Sequence, residues 1–385
     1  MSENALFLGI ETAGTGTHPA SWRRADSRAE DLFTAGYWIE VVTRAEQLGA
    51  DAVFLPDAFG LQDGGTAVTR GRLDAVAIAA RVAPRTHRIG LIPQAPVTHT
   101  EPFHVSKAIA ALDFASLGRA GWEVGVSTTA TEAKAFGRKL VQDAADLWHE
   151  ADDAVEVVTR LWDSWEDDAE IRDVPTGRFI DRDRLHYIDF AGDHFSVKGP
   201  SITPRSPQGQ PLVTVRADET AATDVAVRRA DLLRISAPDT ATAADRRVAL
   251  RAAVAAAGRD PDTVRVLLDL PVHLADSAEL ARAEVDELDR WAGTTGDPSG
   301  LRQVGTAAEL RDLLAAIAAD DIADGVVLRP LALHATLTAL RPIGSGAGAV
   351  DPEATATARR PTLRERLGLP RPTSRYAQST QGAAL

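Results

Sequence analysis

The sequence predicts an α/β protein with a (β/α)8 TIM-barrel fold. The chain of 385 residues alternates short apolar runs with helical patterns about eight times, and this alternation is typical of a parallel sheet whose strands are joined by helices. Its length also suits a single barrel, a fold that spans about 200 to 400 residues. The stretch Ile89–Ser127 reads strand, loop, helix, strand, which is one complete βαβ unit.

Each predicted strand is a short, mostly apolar run, as expected for strands buried on both faces. The strands are predicted at Leu6–Ile10, Ala52–Leu55, Ile89–Ile92, Ala120–Val126, Leu212–Val215, Ala230–Ile235, Val264–Leu274 and Gly325–Leu328. Apolar residues at helical spacing predict helices over Tyr37–Leu48, Gly71–Val82, Phe103–Leu117, Gln142–Trp165, Ala221–Arg229, Ala241–Ala257, Ala278–Trp291 and Ala307–Ala318. The periodicity alone would also allow a doubly wound sheet, but this number of units favours the barrel.

We expect one barrel over residues 1–342, with an insertion at about 163–210 and a C-terminal extension over 343–385. Within the insertion, Leu185–Val197 alternates around Gly192, which predicts a β-hairpin. We therefore expect the insertion to decorate the barrel and not to form a separate domain.

Composition excludes several classes of function. The formal net charge of -13 argues against nucleic acid or an anionic membrane surface as a partner. Cysteine is absent, which removes disulfides, thiolate nucleophiles and iron–sulfur clusters. Redox chemistry would therefore need a bound cofactor. His186, His194 and His273 show no metal-ligand spacing, so we expect no metal site.

The N-terminal segment lacks the basic and apolar regions of a signal peptide. No stretch of the sequence approaches the apolar length of a membrane span. We therefore expect a cytoplasmic protein without a membrane partner.

Two motifs in the central βαβ unit carry a resemblance to a known family. EPFH (Glu101–His104) opens the helix, and LGRAGW (Leu117–Trp122) leads into the next strand. In sequence and spacing they resemble the flavin-dependent monooxygenases of the bacterial-luciferase-like superfamily. Within it, they most resemble the branch containing nitrilotriacetate, EDTA, dibenzothiophene-sulfone and long-chain alkane monooxygenases. Similar segments in the insertion and near the C-terminus extend the resemblance over nearly the whole chain.

The resemblance implies an FMN-dependent monooxygenase that inserts one oxygen atom from O2 into a small organic substrate. It also implies that a separate flavin reductase supplies the reduced FMN, and that the chain forms a homodimer or homotetramer. Two alternatives stay open. One is a deazaflavin-dependent oxidoreductase of the same superfamily, and the other is a family member that has lost flavin binding and serves as a binding or regulatory protein.

Barrel enzymes place their sites at the C-terminal ends of the strands. This rule alone selects Asp57, Gln94, Ser127, Thr220 and Arg329. The resemblance implies that the first four contact the cofactor, and it adds Trp148, whose ring could stack on the isoalloxazine. Helix capping is the alternative role for Asp57 and for Thr220. No catalytic acid or base is assigned.

Several of these positions depart from the family pattern. The departures are Gln94 and Val126 in place of threonines, Glu123 in place of the asparagine of a GWN motif, Ala144 and Trp148 in place of a His–Tyr pair, and Asp218 and Thr223 in place of glycines. Asp218 and Glu219 beside Thr220 would repel a phosphate, although Arg216 could partly offset them.

Three residues are expected to line the substrate pocket, namely Trp22, Phe59 and His104. The resemblance places Trp22 in the loop after the first strand and His104 at the start of the helix after the third. Aromatic residues near a barrel mouth often serve packing, and a structural hydrogen bond is the alternative role for His104.

Overall fold

The structure is a computed structural model that describes residues 6–62, 68–293, 300–340 and 360–377. Its strands are β1 (Phe7–Glu11), β2 (Ala52–Leu55), β3 (Gly90–Pro96), β4 (Gly121–Gly125), β5 (Glu170–Asp173), β6 (Arg178–Ile180), β7 (Phe190–Ala191), β8 (Ser196–Val197), β9 (Leu212–Arg216), β10 (Leu232–Ile235), β11 (Arg265–Leu274), β12 (Gln303–Gly305) and β13 (Gly325–Pro330). Its helices are α1 (Ala35–Gln47), α2 (Ala75–Val82), α3 (Pro102–Ala115), α4 (Ala130–Phe136), α5 (Ala144–Asp163), α6 (Thr220–Arg229), α7 (Thr240–Ala256), α8 (Ala278–Ala292), α9 (Ala307–Ala319), α10 (Leu333–Ala339) and α11 (Leu363–Arg366).

Eight parallel strands close into a barrel in the order β1, β2, β3, β4, β9, β10, β11 and β13. The pairing of β10 with β11 and of β13 with β1 completes the ring. One extra strand, β12, pairs with the C-terminal end of β11. The predicted TIM barrel is therefore confirmed.

The barrel strands are buried almost throughout because helices cover their outer faces and side chains fill the interior. Local caps set where the helices begin. In α4 and α9 a threonine and a glutamate form reciprocal capping boxes, Thr129 with Glu132 and Thr306 with Glu309. Helix α4 was not predicted from the sequence. It follows the C-terminal end of β4, where a barrel carries its site.

The insertion between α5 and β9 contains two small antiparallel pairs, β5 with β6 and β7 with β8. The hairpin predicted around Gly192 is present, although each of its strands has only two residues. A buried ion pair joins Asp163 at the end of α5 to Arg205, with 3.2 Å between Oδ1 and Nε. This ion pair ties the insertion to the barrel.

The segment 360–377 packs across the N-terminal end of the barrel. Leu363 is fully buried among side chains from the first turns of the barrel strands, including Phe7, Leu212 and Leu232. Leu363 packs closely on Gly90, where an added Cβ would lie 2.7 Å from a Leu363 methyl. This part of the predicted extension therefore closes the barrel, whereas residues 341–359 and 378–385 lie outside the described residues.

None of the helices in the described ranges combines the length and apolar character needed to cross a membrane.

Candidate functional site at the barrel mouth

A cavity of about 360 Å³ opens at the C-terminal mouth of the barrel, beside the ends of β1, β2 and β13. Its walls come from the loops 12–21 and 68–73, and its floor includes Glu11 and Arg329. The lining combines polar and apolar side chains. The polar ones include Thr12, Thr15, Thr17, His18, Gln62, Thr69 and Arg72, and the apolar ones include Leu32, Trp38, Leu55 and Ile78. Such a mixed lining is typical of a small-molecule site.

This floor belongs to an ionic layer in the barrel interior, which we define as Glu11, Glu123, Arg216, Arg234, Asp269 and Arg329. Arg234 is at its centre and has no exposed surface. Its guanidinium donates to Glu123 at 2.6 Å, to Glu11 at 2.7 Å and to Asp269 at 2.8 Å. The ring of Phe54 lies 4.6 Å from the Arg234 guanidinium carbon and separates the ionic layer from the apolar end of the barrel.

The other two arginines lie on the mouth side of the ionic layer. Arg216 donates to Glu11, to Glu123 at 3.0 Å and to Asp269 at 3.2 Å. Arg329 donates to Glu11 at 3.1 Å. Three carboxylates thus meet three guanidiniums, so the ionic layer has no formal net charge.

Burial and pairing act in opposite directions on the ionic layer's carboxyl groups. Burial alone would raise the pKa of Glu11, but Arg234, Arg216 and Arg329 outweigh it and hold that pKa well below its ordinary value. The pKa of Glu123 is lowered for the same reason by Arg234 and Arg216. For Asp269 burial prevails and raises the pKa. The folded environment thus favours the ionised form of Glu11 and Glu123 and disfavours that of Asp269.

The predicted flavin residues Asp57 and Gln94 lie together at the ends of β2 and β3. The Asp57 carboxylate accepts hydrogen bonds from the backbone N–H of Ala58 at 2.8 Å and of Ala75, the first residue of α2, at 2.9 Å. Burial raises the pKa of Asp57. The Gln94 side-chain oxygen accepts from the Asp57 backbone N–H at 3.0 Å. Both Asp57 oxygens therefore hold the local backbone, which corresponds to the capping alternative.

Ser127 lies just past the end of β4 and is buried. Its backbone N–H donates to Thr98 Oγ1 at 2.9 Å, whereas its own hydroxyl has no hydrogen-bond partner in the described part of the chain. His99, in the loop after β3, shows the same feature, since both ring nitrogens are buried without a partner among the described residues. Burial, more than the nearby Lys139, lowers the pKa of His99. The histidine would therefore be neutral near neutral pH.

Aromatic rings cover this side of the mouth. His99 stacks on Phe136 of α4 at 4.6 Å between ring centroids, and Phe59 meets the same ring edge-on at 4.9 Å. The backbone N–H of Phe59 donates to Glu132 at 3.0 Å, which fixes α4 against the loop after β2. Phe59 was predicted near the mouth, whereas His99 was not predicted as a site residue, although its place after the end of β3 could have selected it.

The start of α6, where the resemblance implies a phosphate site, carries two exposed acids. Asp218 accepts from the backbone N–H of Ser236 at 2.8 Å, and Glu219 is the N-cap residue of α6. Thr220 is the exposed first residue of the helix, so it is not the N-cap that the alternative proposed. The suggestion that Arg216 offsets the two acids is wrong, because its side chain turns into the ionic layer.

The remaining predicted site residues lie apart from one another. Trp148 is buried in the main hydrophobic core with 7% of its surface exposed, and Ala144 is the exposed first residue of α5. Trp22 directly follows the loop 12–21 that walls the cavity, and the Arg23 guanidinium carbon lies 5.4 Å from its ring. His104 is exposed on the first turn of α3. Among the described residues, Trp22, Phe59 and His104 do not line the mouth cavity, whereas the neighbouring Ser21 and His18 do.

These residues fit the ring of a flavin but not, at α6, its phosphate. Ser127 and His99 offer buried polar atoms that have no protein partner within the described ranges, and the polar edge of a bound ring could satisfy them. At α6, by contrast, Asp218 and Glu219 would repel a phosphate, and the nearby Arg246 already pairs with Asp218.

Comparison with known proteins gives a consistent result. Residues 9–353 match the family model described as luciferase-like monooxygenase. N-acetyl-S-(2-succino)cysteine monooxygenase from Bacillus subtilis is 32% identical over 283 residues, which cover 74% of this chain. The match covers only 64% of that relative, so this chain spans less than two thirds of its length.

Two further proteins match over almost their whole length. One of the pristinamycin IIA synthase subunits from Streptomyces pristinaespiralis is 30% identical over 358 residues, which cover 90% of this chain and 94% of that protein. A crystal structure of riboflavin lyase with modified FMN and the substrate riboflavin superposes with a TM-score of 0.81 at 26% identity, covering 97% of this chain and 98% of that one.

Proposed function

The chain belongs to the luciferase-like monooxygenase family, whose members are flavin-dependent, and from this premise we propose that it is a monooxygenase that uses reduced FMN. A separate flavin reductase would supply the reduced FMN. When bound, reduced FMN supplies the electrons that reduce O2, so that one oxygen atom enters a small organic substrate and the other leaves as water. The observation that carries the proposal is the mouth cavity at the ends of β1, β2 and β13, together with buried polar groups after β3 and β4 that have no protein partner in the described ranges.

The chain's own residues would bind, orient and exclude water. Ser127 and His99 would satisfy the polar edge of the flavin ring, and Gln94 and Asp57 would hold the loops around it. The loops that wall the mouth cavity would exclude water from the reacting groups. Arg72 has a buried Nε without a hydrogen-bond partner in the described part of the chain and lines the cavity, so the substrate would present an acceptor to it.

The direct test is an anaerobic titration of the purified chain with reduced FMN, with oxidised FMN as the comparison. Tighter binding of the reduced form is the expected result. Turnover would then be measured with a flavin reductase and candidate substrates. If neither form binds with a dissociation constant of about a hundred micromolar or lower, equal to about 5.5 kcal/mol of binding free energy, the proposal that the isolated chain binds FMN is wrong. A deazaflavin titration would then test the other cofactor of the superfamily.

Asp57→Ala should weaken the binding of reduced FMN more than tenfold, or about 1.4 kcal/mol. The reason is that its carboxylate fixes the loop after β2 through Ala58 and Ala75. Asp74→Ala is the matched control, because Asp74 is the N-cap of the same helix, α2. Equal affinities in the two variants would reduce Asp57 to a helix cap, and an unchanged affinity in Asp57→Ala would remove it from the site.

A second function is favoured by α6 and by one relative. Asp218 and Glu219 make the expected phosphate position unfavourable, and the relative matched over 94% of its length is named as one subunit of a synthase. In this case the chain would be the subunit of a two-chain monooxygenase that does not itself hold FMN. Co-purification with a second luciferase-like chain, and FMN binding only by the pair, would select this function over the first.

A further inference from the structure

The hairpin of the insertion brings a histidine against α5, outside the mouth cavity. His149 and Asp153 are four residues apart on α5, so they lie on one face of the helix. His194 lies in the turn between β7 and β8. One ligand atom from each of these three side chains lies within 4.8 Å of the other two. The fold thus joins two imidazoles and a carboxylate that are far apart in sequence.

Contacts hold the turn against the helix. The rings of His149 and His194 lie 5.5 Å apart between centroids. His149 Nε2 lies 3.2 Å from Oδ2 of Asp193, the residue before His194. At Gly192 an added Cβ would lie 2.5 Å from the Asp153 carboxylate, which shows how closely the turn approaches α5.

This set of donors suits a divalent transition metal. Imidazole nitrogen and carboxylate oxygen bind zinc at about 2.0–2.2 Å, so neighbouring ligand atoms in a tetrahedral site lie about 3.3 Å apart. The 4.8 Å limit within the cluster therefore leaves roughly 1.5 Å to close. Rotation of two exposed imidazoles on their side-chain bonds can supply this movement. Two imidazoles also select against magnesium and calcium, which prefer oxygen ligands.

We propose that His149, Asp153 and His194 form a zinc-type metal site that fastens the insertion hairpin to α5. Asp193 or water would complete the coordination. The site is separate from the mouth cavity, so it would stabilise the insertion and would not take part in oxygen transfer. The spacing of His186, His194 and His273 predicted no metal site, whereas the proposed site joins His194 to a pair on one helix face, His149 and Asp153.

The test is isothermal titration of the full, untagged, chelator-treated chain with zinc chloride, followed by cobalt chloride monitored by visible absorption. We expect one ion per chain, a tetrahedral cobalt spectrum and a zinc-dependent rise in melting temperature. His194→Ala and His149→Ala should each lower zinc affinity by at least about tenfold, since even the loss of an outer-shell partner costs ~10–100-fold. Asp153→Asn provides a variant of nearly unchanged size.

The control is His104→Ala, which removes an exposed histidine from α3 and should leave zinc affinity unchanged. Circular dichroism checks that each variant is folded. The proposal is overturned if wild-type chain binds no stoichiometric zinc. It is also overturned if His149→Ala and His194→Ala bind zinc as tightly as wild type.

Discussion

The two ends of the barrel interior are built from opposite chemistry. At the N-terminal end, Phe7, Ile92, Leu212 and Leu363 form a closed apolar layer. At the C-terminal end, the ionic layer around Arg234 forms the floor of the mouth. An apolar layer is stabilised by burial alone, about 25 cal/mol for each Å². A buried ionic layer persists only when every charge is paired, since an unpaired buried charge costs several kcal/mol. The closed end therefore serves stability, and the open end holds polar groups below a ligand cavity.

The largest loss of folding stability should come from replacing Arg234, the residue at the centre of the ionic layer. Arg234→Met leaves Glu11, Glu123 and Asp269 buried together with only the two arginines on the mouth side. We expect the free energy of unfolding to fall by about 3–5 kcal/mol, as for other buried pairs that lose one partner. Urea denaturation followed by circular dichroism measures it.

Arg290→Met is the control, because Arg290 is exposed and lies as far as 4.0 Å from its partner Glu287. Its loss should cost less than about 1 kcal/mol. If the two variants proved equally stable, pairing would not be what holds the ionic layer together.

At the N-terminal, apolar end of the barrel, stability should depend on how well the buried side chains pack. Leu363→Ala removes a fully buried side chain that contacts Gly90 and the first turns of the barrel strands. The expected loss is about 2–4 kcal/mol from burial and the cavity left behind. Leu280→Ala, on an exposed position of α8, should change stability little. A Leu363→Ala variant as stable as wild type would show that the segment 360–377 does not close the barrel in solution.

Much of the fold could be predicted because parallel strands and amphipathic helices leave periodic signals. Strand β2 was predicted with its observed bounds, and α5 within two residues at each end. The prediction missed α4 and β12, which are too short for periodicity to register. Closure of the barrel by Leu363 was also missed, because a contact between the C-terminal segment and the first strands leaves no local signal.

The site was less predictable than the fold. The rule on strand ends located Gln94 and Ser127 at the mouth, since it depends only on strand direction. The ionic layer escaped prediction because its charges come from six strands, and Glu11 and Arg329 are separated by 318 residues. Arg216 was assigned to the wrong partners for this reason. Which way a charged side chain at a strand end turns depends on partners that only the folded barrel supplies.

The ionic layer should also give the protein a distinctive response to acid. A carboxyl whose pKa is lowered on folding, such as Glu123, contributes stability above its ordinary value of 4.5 and loses it as the pH falls. Each such group adds at most ~1.4 kcal/mol per pH unit to the slope. Asp269 acts in the opposite direction, because burial raises its pKa.

Glu123→Gln should therefore flatten the dependence of the unfolding free energy on pH below about 4.5, as measured by urea denaturation at a series of pH values. Glu287→Gln changes an exposed carboxyl on α8 and should leave the slope as in wild type. Parallel profiles for wild type and Glu123→Gln would show that Glu123 is not held ionised by Arg234 and Arg216.

The smallest effect should come from the hydroxyl of Ser127, which is buried on the mouth side and lacks a hydrogen-bond partner in the described ranges. Ser127→Ala removes no hydrogen bond within that part of the protein, so its unfolding free energy should match wild type. If the hydroxyl binds the flavin ring, affinity for reduced FMN should fall about fivefold, the equivalent of ~1 kcal/mol for one hydrogen bond. Ser164→Ala should lower the unfolding free energy and leave FMN affinity unchanged. The reason is that Ser164 Oγ donates a hydrogen bond to the Leu161 carbonyl and accepts one from the Ser201 backbone N–H, far from the mouth. A Ser127→Ala variant that loses stability and keeps its FMN affinity would assign the hydroxyl to packing. Ser127 would then no longer support FMN binding at the C-terminal end of the barrel.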